Sequence, residues 1–134
     1  MNNKSIIDTY RTIYDIDLVI ANQYTTLEKL RRLYKYEDNS NLVEDTMIGL
    51  ATTSLVVNKK TNRKSVLVKI NKLKIPKYTD KKLELVNIAA HEEMHVLCDI
   101  YSRVGAEVVF NNQEPSAYFL GWITQNIYKT MISK

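Results

Sequence analysis

At 134 residues and 15.6 kDa the chain has room for one domain over residues 1–134 and hardly for two. A composition of 45% hydrophobic and 25% charged residues suits a globular core and excludes wholesale disorder, and 3 Gly with 2 Pro leave little material for linkers or repeats. The formal net charge of +4 is uneven: between Lys59 and Lys82 ten Lys/Arg stand against the single acid Asp80, while both flanks are net acidic. The apolar runs fall far short of the roughly 20 residues that cross a bilayer, Met1-Asn2-Asn3-Lys4 opens no apolar signal core, and the one cysteine, Cys98, has no partner for an internal disulfide. These features lead us to expect a cytoplasmic protein with no membrane partner.

In chain order, Thr12 to Asn22 alternates Ile13, Asp15 and Asp17 against Tyr14, Ile16, Leu18 and Ile20, the period-two pattern of a half-buried strand. Thr25 followed by Glu28 has the form of a capping box, and Leu27, Leu30, Leu33 and Tyr34 recur behind it at helical spacing. Residues 36–45 are polar and read as a loop. Ile48 to Val57 and Lys64 to Lys72 are β-rich runs around a polar segment and predict a hairpin, its second arm apolar at Val66, Val68 and Ile70 and mostly polar at Leu67, Lys69 and Asn71.

Pro76 closes this region, and Thr79-Asp80 supplies a cap and a first-turn acid for a long helix. Its expected core stripe is Leu83, Val86, Asn87, Ala90, Met94, Leu97, Tyr101 and Val104, stopped by Gly105. Asn111-Asn112 then precede a last helix from about Gln113 to Met131, with Pro115 tolerated in its first turn. The predicted order is βαββαα: an α+β fold in which a small mixed sheet carries an amphipathic helix and two C-terminal helices.

The long helix bears His91-Glu92-Glu93-Met94-His95, a match to HExxH that uses both histidines of the chain. Residues four apart on a helix lie about 40° apart around its axis, so both imidazoles can reach one metal ion, with Glu92 beside them as a proton acceptor. A catalytic zinc needs a third protein ligand. Cys98 would have to share the ion across three successive turns of a straight rod, and a small buried apolar role suits it better. Asp99, four after His95, is open to a role in supporting a ligand or to plain exposure. Glu114 is the favoured third ligand, because 18 residues separate the His95 and Glu114 pair of positions closely enough to turn the chain and bring a second helix back. Glu114, Tyr118, Gly121 and Gln125 share one side of that helix, and a mid-helix Gly121 suggests close approach to the histidine helix.

His91-Glu92-x-x-His95 with Glu114 resembles the gluzincin class of zinc metallopeptidases, whose familiar member is the thermolysin family; the likeness covers about residues 79–125. Asp99 at four after the second His is similar too. The resemblance implies a zincin-like fold, Zn2+ held by His91, His95 and Glu114, Glu92 as general base, and a sheet edge that binds extended peptide. Where that family has an Asp four residues after the ligand Glu, this chain has Tyr118, which implies either a different group supporting the zinc-binding His or a tyrosine that stabilises the oxyanion. The second domain that supplies the family's transition-state His has no counterpart here. NNQEPSAYFLGWI is also similar to small HExxH proteins encoded by bacteriophages.

The expected activity is hydrolysis of a peptide or protein substrate, with Tyr118 or Tyr101 as oxyanion donors and with Ser54 to Val57 or Val66 to Lys69 as the edge that takes the peptide. The alternative is a non-enzymatic assembly protein of a virion that binds protein partners and keeps the metal as a staple. Nucleic acid is not an expected partner, since the basic run offers one aromatic, Tyr78, for base stacking.

Overall fold

The computed structural model describes residues 4–71 and 80–133. The elements are β1 (Ile7–Arg11), β2 (Asp17–Ala21), α1 (Leu27–Leu33), β3 (Tyr34–Lys35), a 3-10 turn (Glu44–Met47), β4 (Ala51–Asn58), β5 (Lys64–Ile70), α2 (Lys81–Val104) and α3 (Glu114–Ile132). They form an α+β fold with one five-stranded mixed sheet in the order β1-β2-β5-β4-β3, antiparallel throughout except for the central β2–β5 pair. Pro76, Tyr78, Thr79 and, of the basic run, Lys72, Lys74 and Lys77 lie outside the described residues.

The single strand expected over 12–22 is instead the end of a hairpin. Residues 12–16 make its turn, where Thr12 Oγ1 donates to the Ile16 carbonyl (2.7 Å) and accepts from the Tyr14 N–H (3.2 Å). Asp15 takes a left-handed conformation there (φ 59°), which Asp tolerates better than bulkier residues, and Ile13 stands in solvent at the tip, 87% exposed. The preceding strand β1, Ile7-Asp8-Thr9-Tyr10-Arg11, is too polar to show as a buried run, yet it pairs along the whole of β2. Arg63 fastens this turn to the β4–β5 hairpin by gripping Asp17 with two nitrogens (2.9 and 3.0 Å) and Asp15 with a third (3.0 Å).

Helix α1 starts one residue later than its capping-box signature suggested. Thr26 is the cap, accepting from the Lys29 N–H, while Thr25 is buried and bonds Asn22 and the Ile6 carbonyl. Glu28 pairs with Arg32 one turn on. The β4–β5 hairpin forms as expected. Its second arm is not half-polar in its surroundings, however, because β5 is central and both its faces are covered. Leu67 packs with Val19, Ala21, Leu30, Tyr34, Leu42 and Val56 beneath α1, and Lys69 is fully buried with its ammonium donating to the carbonyls of Asn22 and Ile70 and to Asn71 Oδ1. A buried ammonium is tolerable only when its donors are met in this way.

On the opposite face α2 and α3 cover Leu18, Ile20, Val66, Val68 and Ile70. Asp80 caps α2, accepting from the Lys82 and Leu83 N–H groups, and Gly105 ends it in the left-handed conformation (φ 69°). The buried side of α2 is Leu85, Ile88, Ala89, Glu92, Val96, Leu97, Ile100 and Tyr101. The expected stripe therefore holds only at Leu97 and Tyr101, where α3 packs, whereas Leu83 (70%), Val86, Met94 and Val104 are exposed. The helix is turned so that its β-branched and leucine positions meet the sheet, and Glu92 is carried into the middle of that face. Tyr10, Tyr14, Tyr101, Phe119 and Trp122 join β1 and its turn to α2 and α3 through edge and stacked ring contacts, so Phe119 and Trp122 belong to the core margin.

This orientation makes a direct prediction for chemical denaturation. Ile88→Ala should cost about 2–5 kcal/mol, as large-to-small core changes do, and Leu83→Ala should stay within about 0.5 kcal/mol. The reverse ranking would return the 83–94 stripe to the core.

Candidate metal centre

Both histidines project from the middle of α2 on its exposed side, next to the buried face that holds Glu92. One helical turn apart, their rings converge until the two Nε2 atoms are 3.2 Å from each other. Two nitrogens bound to one tetrahedral zinc at about 2.05 Å would stand about 3.4 Å apart, so the pair is close to the separation such an ion requires. With no ion, the same contact lets one neutral ring donate to the other.

Glu92 is 5% exposed, and its Oε2 accepts a 2.5 Å hydrogen bond from Thr53 Oγ1. Thr53 comes from the middle of β4, with Ala51 and Leu55 on the same side of the strand packing towards α2. The backbone of those three residues has a second property. The Asn71 N–H donates to the Leu50 carbonyl (2.7 Å) and the Asn58 N–H to that of Arg63 (2.9 Å), so even-numbered positions of β4 bond to β5 and odd-numbered ones face the other way. On that outer side β3 reaches only Val57 and Asn58. Among the described residues, no hydrogen bond reaches the outward peptide groups of Ala51, Thr53 and Leu55. The arm Val66 to Lys69, expected as an alternative edge, is paired on both sides and cannot take a further strand.

Between this edge and α2 runs a cleft. One part, about 340 Å³, is lined by Ala51, Thr52, Thr53, His91, Glu92, His95 and Asp99. The adjoining part, about 230 Å³, shares Ala51, His91 and Glu92 and extends past Leu50, Glu84, Asn87 and Ile88. Asp99, left open by sequence reasoning, thus borders the same space as His95. Burial pushes its carboxyl up, opposed by the charges of His95 and Arg103. Arg103 is also paired with Glu37. Glu93 is not among the described residues lining this cleft, and burial pushes its carboxyl up as well.

Of the residues singled out in the sequence, the fold brings together His91, Glu92, His95 and Asp99. It places Glu114 at the start of α3, exposed, on a side shared with exposed Tyr118 (77%), Gly121 and Gln125. That side faces solvent, and nothing lies within 4 Å of where a Cβ on Gly121 would be, so close helix approach does not explain this glycine. Among the described residues no group of three or more His, Cys, Asp or Glu side chains is gathered around one point. Cys98 is exposed, not a small buried residue. Tyr101 is buried with its hydroxyl 2.9 Å from Ser116 Oγ, and neither it nor Tyr118 lines the cleft. Sequence reasoning missed Thr53, whose only signal was its place in a β-rich run ahead of the motif.

Comparison with known proteins finds no relative: no family model, no curated protein and no solved structure matches the chain. No described helix is long and apolar enough to cross a membrane.

The Thr53 to Glu92 contact is testable by stability alone. Thr53→Val keeps the shape and removes the donor, and should cost about 1.5–3 kcal/mol in chemical denaturation, the range for hydrogen bonds to charged groups. Thr53→Ser should recover most of that loss; equal stability of all three proteins would mean the contact does not hold Glu92.

Proposed function

We propose that the chain is a zinc-dependent peptidase of zincin-like arrangement. The observation that carries the reading is the convergence of His91 and His95 Nε2, 3.2 Å apart, beside a buried carboxylate tied to a strand whose outward peptide groups at Ala51, Thr53 and Leu55 have no hydrogen-bond partner among the described residues. His91 and His95 would hold the ion. For the third place the resemblance to gluzincins offers Glu114, and the cleft offers Asp99. Bound zinc supplies a Lewis acid that lowers the pKa of water and polarises a carbonyl.

The chain's own groups account for the rest of the chemistry. Glu92 is the proton acceptor: Thr53 donates to one of its oxygens and restrains the carboxylate, leaving lone pairs of the same group for a water proton on the cleft side. The proton it takes is then available to the leaving amine. Extended peptide aligns by pairing with the outward N–H and C=O groups of Ala51, Thr53 and Leu55, which lay its backbone along α2 past the two histidines. Exposed Ile13, Phe110 and Tyr118 favour a second reading, an assembly protein that keeps the metal as a staple and docks a protein partner through apolar surface.

Zinc analysis on purified protein separates these readings. We expect one zinc per chain, lost in His91→Ala and His95→Ala. Asp99→Ala or Glu114→Ala should weaken retention according to which supplies the third ligand. Glu92→Gln should keep the zinc and abolish hydrolysis of a peptide library that the wild type cleaves. A chelator that lowers thermal stability, with no hydrolysis in the loaded wild type, would favour the staple.

A further inference from the structure

Resting on that reading, we infer that the cleft selects a peptide carrying a lysine or arginine side chain on the Glu84 side of the histidine pair. The part of the cleft beyond His91 has an apolar wall, Leu50 and Ile88, and ends in Asn87 and the half-buried carboxylate of Glu84. Among the described residues the Glu84 side chain makes no hydrogen bond or ion pair, while its backbone N–H donates to the Asp80 carbonyl. An acid in the first turn of α2 is favoured by the helix dipole whatever it faces, but that does not account for its facing an apolar-walled recess. An aliphatic stem with a cation at its tip matches this sequence of surfaces: methylenes against Leu50 and Ile88, charge at Glu84.

The charge of the described lining points the same way. Among the described residues that line the cleft, the ionisable ones besides the histidines are Glu84, Glu92 and Asp99, with no Lys or Arg, in a chain whose net charge is +4. A divalent ion at the histidines would offset two of these three charges, and Glu84 would be the one left over, because seven helical residues set it about 10 Å along the axis from His91. In an extended peptide that distance corresponds to about three residues, so the cationic residue would sit within three positions of the bond held at the metal.

The test measures binding to zinc-loaded Glu92→Gln protein, which should not turn substrate over. Fluorescein-labelled octapeptides of alanine and leucine carry Lys, Gln or Glu walked through positions three to six, and Kd is read by fluorescence anisotropy. The best Lys peptide should bind about fivefold more tightly than its Gln counterpart, an effect of the size expected for a partly buried ion pair, and the Glu peptide should bind most weakly. Adding Glu84→Gln should bring Lys and Gln peptides within about twofold of each other, and Glu84→Lys should invert the order. Equal binding of Lys and Gln peptides, or a Lys preference that survives Glu84→Gln, overturns the selectivity while leaving the peptidase reading in place. Failure of every peptide to bind zinc-loaded protein would overturn the peptidase reading and the selectivity with it.

Discussion

A carboxylate in the middle of a helix's sheet-facing side loses the water that would stabilise its charge, and it is tolerated only where a donor replaces that water. Glu92 meets that condition through Thr53, so the rotation of α2 that packs Leu85, Ile88, Val96 and Ile100 on the sheet is also the one that satisfies this side chain. With Glu92 held against β4, the residue before it, His91, and the one three after it, His95, emerge at the rim of the contact, beside Ala51, Thr52 and Thr53 of β4. The geometry of the candidate centre is in this sense set by one polar contact inside an otherwise apolar interface.

That contact also explains where sequence reasoning failed. Helix α2 carries two apolar stripes: Leu83, Val86, Ala90, Met94, Leu97 and Tyr101 form one, and Leu85, Ile88, Ala89, Val96 and Ile100 the other. The second is broken by Glu92, so a hydrophobicity pattern selects the first. The sheet selects the second, since β-branched Ile88, Val96 and Ile100 meet the flat array of Leu18, Ile20, Val66, Val68 and Ile70. The existence of the helix, its Asp80 cap, its Gly105 stop and the β4–β5 hairpin were legible because each depends on local chemistry. The facing of α2 was not, because it depends on partners distant in the chain, the apolar sheet residues and Thr53, which is 39 residues from Glu92.

The same distinction governs the other corrections. Lys69 reads as solvent-facing in an alternating strand, and its burial becomes understandable only when Asn22 and Asn71 arrive to accept its protons. Strand β1 is hidden because Asp8, Thr9 and Arg11 give it no apolar run, although β2 supplies its pairing and Thr130 reaches Asp8 from α3 (2.7 Å). Of the candidate site, the HExxH spacing was fully legible, since two histidines and a glutamate on one helix need no tertiary information to be neighbours. The third ligand is a tertiary property, and residue spacing alone placed it on α3 at a position whose side chain the fold turns towards solvent.

What separates an enzyme from a metal-stapled assembly protein is the use made of Glu92. A staple needs ligands and gains nothing from a buried acid next to them; the energetic penalty of Glu92 would then serve only to orient α2, which an apolar residue of similar size would do at lower cost. A proton acceptor would need what is present here: an ionisable group beside the two histidines, restrained by one hydrogen bond, open to the cleft on its other side and adjacent to a strand whose outward peptide groups have no partner among the described residues. Exposed Phe110 and Tyr118 lie on the α3 side and on the turn before it, away from the residues that line the cleft, so a docking role for that surface would add to the chemistry without competing for the same groups.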